Sequence, residues 1–558
     1  MNFLKSNIFF LILLTVVAFC LYGKTINFGF TYGDDSNMIL EKADLLSDIK
    51  NLPTLFTTSC YYSKHSSYYR PLLNVSFMAE TLLFGINTHI YHLTNIILFI
   101  LSLYLMYLFS KKLLKKCTQP STLSPQPSSV ILSDSEGSRC SSVNSSPIHP
   151  FTHSPDTILK YLFLLIAVHP IFTSTVAWIP ARNDTLLAVF MYASLIFFVN
   201  WLENKKVKDL FLYFIFFALA LFTKESSILT VFVFAALVWC FNYKLTKKEI
   251  AINILIVVPI IIFYLYFRQM AVAEGNLLMY LIAFGDTIRN MMIGSMVYLF
   301  QFVVPDVHIM FYNVKFSAFH FIVVFFIFLF VCFALYKKMI DKKVFLWCVF
   351  VFVLFILPTC FLDDYIILNH RLVTVIPAII IPLTMFVEKI ISVRYIKIGL
   401  VSLFVFAFVI FNCVSFVFAN NFRDKNIYWY QSYLDAPDCH ATCYWMGRLF
   451  LENGRLDKAK EFFAKANELR LIYLCDLALV AYFEGDLDLA EQLYQDSVKI
   501  GINKAQCFRN LSTIYYQRDK DFDKAVKYAE MAIQEEPLEA EYRKYFQALL
   551  NEKNKNTL

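Results

Sequence analysis

The sequence predicts an all-α protein: a polytopic membrane helix bundle of about eleven spans, followed by a C-terminal α-solenoid of tetratricopeptide type. Three observations lead there. The 558 residues are 58% hydrophobic and 17% charged, whereas soluble domains carry roughly 25% charged residues. Apolar runs long enough to cross a membrane recur up to about residue 420. Beyond that point the chain is charged, amphipathic and periodic. The net charge of +7 does not signal nucleic acid, because the excess Lys and Arg fall in short clusters between apolar runs. Thirteen cysteines are scattered without metal-ligand or disulfide-framework spacing.

The spans centre near Leu14, Leu101, Leu165, Tyr192, Phe214, Phe234, Val258, Phe325, Phe352, Ile379 and Phe408. The first, Ile8 to Leu21, resembles a signal peptide but has no small-x-small site after it, and reads as a retained span. Five basic clusters follow: Lys111–Lys116, Asn204–Lys208, Tyr243–Lys248, Lys337–Lys343 and Val393–Lys397. With these spans all five fall on one face, the cytoplasmic one by the positive-inside rule. Counting Ile282–Val304 as a further span would invert every later loop, so that segment reads as an interfacial or re-entrant helix. The Ser/Pro-rich stretch within 117–157 reads as a disordered cytoplasmic loop. The resulting organisation is a membrane domain over 1–425, a linker over 426–440, repeats over 441–548 and a tail over 549–558.

The tracing collects polar residues on the outer face. The loop over 24–88 carries the adjacent Asp34 and Asp35, then Arg70 in "YYRPLLNVSF". Spans three and four turn around "HPIFTSTVAWIPARNDTLLA", with His169, Arg182 and Asp184. Lys224 and Glu225 lie between spans five and six, and His370 and Arg371 between nine and ten. Ionisable groups at span ends cost up to ~3 kcal/mol each in hydrocarbon, so their convergence suggests a shared polar pocket. Each has a bland reading as well: a solvated pair, a helix-end ion pair, a snorkelling Arg. The chemistry such a pocket suits is glycosyl transfer from a polyprenyl-phosphate sugar. A carboxylate takes the proton of an acceptor hydroxyl, and cations or a divalent metal stabilise the departing phosphate. Arg182, Lys224, His370 and Arg371 are the phosphate candidates. One aspartate would be the base, and the other a metal ligand or positioning group.

From Ala441 three units succeed one another at about 31 to 35 residues, close to the 34 of tetratricopeptide repeats. Gly454 and Gly485 recur, as do Ala459, Ala490 and Ala525. Such solenoids bind proteins or peptides on a concave face. Here they would lie on the outer face and recruit an acceptor protein or glycan.

The order of the outer-face Asp-Asp, "RPL", "HP…AW…R.D" and "KE" resembles the GT-C membrane glycosyltransferases, specifically the transmembrane and TPR-repeat-containing branch of the protein O-mannosyltransferase superfamily. That resemblance implies inverting transfer of a sugar, often mannose, from an undecaprenyl or dolichyl phosphate carrier to a protein hydroxyl. It maps the acidic pair to Asp34 and Asp35, with Asp34 as base, and the family's arginine to Arg182. One stretch departs from the family pattern: "NHRLVTVIP" lacks the glutamate and tyrosine expected there, which bears on sugar identity. The expected residence is a bacterial inner membrane with a periplasmic C-terminus, or the endoplasmic reticulum with a luminal one. The competing readings are a lipid-linked oligosaccharide ligase or polymerase, and a non-enzymatic membrane scaffold built on the repeats. Ligases usually carry a large late outer loop, which the sequence lacks. A transporter would need broken mid-membrane helices with paired charges, which are not evident.

Overall fold

A computed structural model describes residues 7–63, 66–118, 154–272, 284–309, 317–356, 369–391 and 393–556. The Ser/Pro-rich stretch over 119–153 and the aspartates at 363–364 lie outside them. All regular elements among the described residues are helical. The bundle contains α1 (Asn7–Tyr22), α2 (Pro71–Phe84), α3 (Thr88–Thr118), α4 (Pro155–Ala167), α5 (Arg182–Asn204), α6 (Val207–Thr223), α7 (Thr230–Cys240), α8 (Lys247–Ala271), α9 (Phe284–Val303), α10 (Ala318–Tyr336), α11 (Lys342–Ile356), α12 (Ile376–Ile390) and α13 (Arg394–Ala419).

In α1 the buried residues are Phe10, Leu14, Ala18, Leu21 and Tyr22. That helical spacing turns one stripe into the bundle, so the first segment is an integral part of the core. Helices α5, α6 and α7 meet through Phe198, Tyr213, Phe217 and Phe234, with ring centroids as close as 4.6 Å. Other helices present apolar flanks to the outside. On α10, Phe319, Phe321, Phe325, Phe326, Phe328, Phe330 and Phe333 are all exposed. A contiguous apolar face of that extent marks a surface made for lipid or for a partner.

Among the described residues seven helices are long and apolar enough to cross a membrane, or eight if the pair Pro155–Ala167 and Pro170–Ala177, bent by 58°, is one span. The sequence expected eleven. The other three expected spans are helices of 17, 11 and 15 residues (α6, α7 and α11). Seventeen residues rise only ~26 Å, against a hydrocarbon thickness of ~30 Å. Their apolar sequence runs past the helix ends: 3-10 residues Glu225–Leu229 precede α7, and α11 ends where the described residues end. The segment expected to be interfacial forms the 20-residue α9.

The basic clusters come together. Lys112 on α3 pairs with Glu203 on α5 at 2.6 Å, and Lys205 with Glu249 at 2.8 Å. Lys343 donates to Asn242 at 2.9 Å, and Lys116 stands 5.0 Å over the ring of Tyr243. Four of the five clusters thus meet at one end of the bundle, where Lys111 also reaches Asn7 at 2.9 Å.

Past α14 (Lys425–Asp435) three helical hairpins stack: α15 (His440–Glu452) with α16 (Leu456–Leu469), α17 (Leu474–Glu484) with α18 (Leu487–Ile500), and α19 (Lys504–Ile514) with α20 (Phe522–Glu535). Ala459, Ala490 and Ala525 are fully buried. Gly454 and Gly485 close the first helix of their hairpins at φ +70° and +87°, a conformation that costs Gly nothing. The third hairpin has Lys520 at φ 55° instead, after a π-turn over Tyr515–Asp519, which absorbs its longer spacing. The residues expected to be a tail continue a last helix, α21 (Ala540–Asn556).

A Cβ on Gly447 would lie 2.7 Å from the ring of Phe463. Gly447→Val should therefore destabilise the first hairpin by about 1–3 kcal/mol, seen as a lower midpoint for proteolysis of the repeats in the full chain. The meeting of basic clusters predicts opposite compartments for reporters fused within 121–146 and after Leu558. Reporters reading the same compartment would overturn that arrangement.

Candidate functional site

At the other end of the bundle the chain turns sharply before the acidic pair. Tyr32 and Gly33 adopt φ 62° and 74°, two left-handed residues in succession, and a π-turn over Ser36–Leu40 follows. Gly33 is favoured there, because the conformation is left-handed and a Cβ would lie a tight 3.2 Å from the indole of Trp429. The turn folds Asp35 back on its own loop. One carboxylate oxygen accepts from the Thr31 amide at 2.6 Å and from its hydroxyl at 2.8 Å. Its other oxygen is buried with no hydrogen-bond partner among the described residues. Burial raises Asp35 to about 7, against the Thr31 hydrogen bonds. Asp34 is partly exposed and also raised by burial, opposed by a hydrogen bond from Tyr61 and by the charge of Arg70. The two aspartates thus differ: Asp35 is anchored on Thr31, and Asp34 is half-buried beside Tyr61. Among the described residues no three His, Cys, Asp or Glu side chains group to hold a metal ion.

Arg70 leads from the acidic loop to a cavity of about 340 Å³ lined by Arg70, Asp184, Lys224, Glu225, Arg268 and Arg371, with Tyr68, Phe355 and Thr374 among its other walls. Arg70 Nε lies 3.2 Å from Glu225, which also accepts from the Tyr69 amide at 2.6 Å. Lys224 Nζ lies 2.6 Å from Asp184 and donates to the Asn183 side-chain Oδ1 at 3.0 Å. Burial lowers Lys224 to about 8, with Asp184 acting against it. His370 stands 3.7 Å from the second oxygen of Asp184. Arg371 Nε is buried with no hydrogen-bond partner among the described residues. Four cations face two carboxylates, and one cation has an unused donor. A cavity so charged favours an anionic guest with several acceptor oxygens.

Seven of the sequence-predicted residues meet here: Arg70, Asp184, Lys224, Glu225 and Arg371 line the cavity, His370 touches Asp184, and Asp34 lies within the field of Arg70. Three do not. Asp35, beside Asp34, is folded back onto Thr31. Arg182, expected at the phosphate, is fully buried elsewhere. Its Nε donates to Asn95 at 2.9 Å, Nη1 to Glu80 at 2.5 Å and Ser76 at 3.3 Å, and Nη2 to the Tyr91 carbonyl at 2.8 Å. The guanidinium is spent on tying α5 to α2 and α3. His169 takes the Ile171 amide on Nδ1 at 3.3 Å, and its Nε2 is 3.1 Å from the Phe302 carbonyl. It caps the bend after α4. Four residues of this end escaped the sequence reading: Tyr61, Glu80, Arg268 and Trp429. Arg268 had a signal, as a lone cation at the outer end of an apolar run where the positive-inside rule expects none. Glu80 and Trp429 act through contacts that only the fold creates.

Residues 440–473, which span α15 and α16, match the family model of the tetratricopeptide repeat. No curated protein matches the chain. Fold and match together define an all-helical protein with apolar helices of membrane-spanning length and a C-terminal tetratricopeptide repeat.

Removing one partner of a buried ion pair costs about 3–5 kcal/mol. Arg182→Ala should accordingly reduce the yield of folded protein and its thermal midpoint, and Glu80→Gln should do the same more mildly. A stable, fully folded Arg182→Ala protein would contradict this structural role.

Proposed function

We propose that the protein is an integral-membrane, inverting glycosyltransferase of the GT-C type. It moves a sugar, a hexose such as mannose, from a polyprenyl-phosphate carrier to an acceptor hydroxyl on a protein. One observation supports this above the others: the acidic loop and a cavity with four cations share one end of the bundle, joined through Arg70. The sequence resemblance to the TPR-containing branch of the protein O-mannosyltransferase superfamily points the same way.

In this reading the carrier's phosphate occupies the cavity, where Arg371 offers its unused donor and Arg70, Lys224 and Arg268 add charge. Asp34 takes the proton of the acceptor hydroxyl as its oxygen attacks the anomeric carbon. The bond from that carbon to the phosphate oxygen breaks, and its electron pair stays on the phosphate, where the cations stabilise it. A base whose pKa is raised by burial is better matched to neutral pH than an ordinary aspartate. The site would face the periplasm or the lumen, opposite the basic clusters. The repeat match favours a second reading, a membrane scaffold that binds proteins through its solenoid.

A purified assay with radiolabelled polyprenyl-phosphate mannose separates the two. Asp34→Asn should abolish transfer while leaving folding and donor binding near normal. Arg371→Ala should lower transfer by about 100-fold or more, as for loss of one preorganised donor. Two fully active variants would leave the scaffold reading standing. The pH profile carries a further expectation. If the charged pair is required, wild-type transfer falls as the pH drops through about 7 and Asp35 gains its proton. Asp35→Asn should have lower activity and lack that acid limb.

A further inference from the structure

The acidic loop is held from both sides by the C-terminal region. Ahead of the aspartates, Lys24 donates to Asn420 at 2.8 Å, and the Gly29 amide donates to the Arg423 carbonyl at 2.8 Å. Trp429 Nε1 donates to the Thr31 carbonyl at 3.0 Å. Thr31 is the residue whose amide and hydroxyl hold Asp35. Trp429 is in turn stacked on Trp445 of the first repeat helix, 4.7 Å between centroids and 14° between planes.

Behind the aspartates two ion pairs cross to the end of the repeats, Lys42 to Glu539 and Asp44 to Lys544. Lys42 pairs with Glu539, their side chains only 8% and 15% exposed, so this pair is shielded from solvent and its loss is felt. Asp44 and Lys544 are 3.0 Å apart but well exposed, and contribute little. Leu538 packs into the same apolar cluster as Leu46, Leu55 and Phe77 of the acidic-loop region.

We propose that the repeats, together with the helix α14 that leads into them, are a positioning clamp for the acidic pair, gripping the loop through Trp429 of α14 on one side and Glu539 of the repeats on the other. Neither residue touches the reacting atoms. Trp429 acts through Thr31 on Asp35, and Glu539 acts through Lys42 on the π-turn that follows the pair. The loop has no long helix of its own to hold it, and its left-handed turn at Tyr32 and Gly33 is a conformation that surrounding contacts must maintain. The functional half of the proposal rests on the transferase reading; the structural half does not.

The test uses the full chain in detergent and four variants: Lys42→Glu, Glu539→Lys, the double swap, and Trp429→Phe, which keeps the ring and removes the donor. Hydrogen exchange over residues 28–46 should rise by about tenfold or more in either charge reversal and fall back in the double swap. Trp429→Phe should raise exchange around Thr31. With polyprenyl-phosphate mannose as donor and a threonine-containing peptide as acceptor, kcat should drop by about 10- to 100-fold in the single variants while the donor KM holds, and recover in the swap. Unchanged exchange in the single variants, or a swap that restores nothing, overturns the clamp. Raised exchange with undiminished kcat overturns the positioning role. The exchange pattern as expected, together with a wild-type protein that transfers no sugar, upholds the clamp and removes the transferase reading instead.

Discussion

Arg182 holds the polar end of the bundle together. A guanidinium with no solvent contact is stable only if its donors are met, and here Glu80, Ser76, Asn95 and the Tyr91 carbonyl meet them. Those partners lie on α2 and α3, so the demand of one charge fixes three helices against each other. Arg70 stands at the N-terminus of α2, and Asp184 lies two residues along α5 from Arg182. Residues two apart on a helix point about 200° apart. Arg182 therefore turns toward α2 and α3 while Asp184 turns toward the cavity. The short "ARND" motif does two jobs by helical geometry alone.

The cavity follows from this frame. Asp184 helps keep Lys224 charged in a buried place, and Glu225 offsets the cost of burying the permanently charged Arg70. Each pair spends part of its charge on its partner. What is left over comes from Arg268 and Arg371, cations without a carboxylate within salt-bridge distance among the described residues. A fully neutral cluster would be a structural ion-pair network. An excess of two positive charges beside an open volume favours an anionic guest.

The acidic loop lies between this cavity and the repeats, and draws support from each. Tyr61 and Arg70 reach Asp34 from the membrane-domain side, and Trp429 reaches the loop from the solenoid side. The repeats are then more than an appended binding module, because their first and last helices both contact the loop that carries the carboxylates. A polypeptide held on the solenoid would be near the acidic turn by construction.

The helical class, the apolar bundle, the basic clusters and the repeats were legible because each is a local pattern: composition, run length, charge spacing and a recurrent period. The candidate residues of the site were legible for the same reason, since an ionisable group beside an apolar run stands out wherever it ends up. Their division of labour was not. Arg182 and Arg371 are both phosphate candidates in the sequence, Arg182 the stronger, and only packing shows that Arg182 has all three nitrogens engaged while Arg371 has a donor without a partner among the described residues. Asp34 and Asp35 are chemically identical neighbours until a left-handed turn folds one onto Thr31. Eleven spans were expected and seven or eight described helices are long and apolar enough to cross a membrane, because hydropathy records apolar length and not where a helix breaks. The ties of Trp429 to Thr31 and of Glu539 to Lys42 join residues some 400 to 500 positions apart. No local pattern encodes such pairs. They exist because the solenoid curves back onto the loop, and that curvature is set by the packing of the helical hairpins.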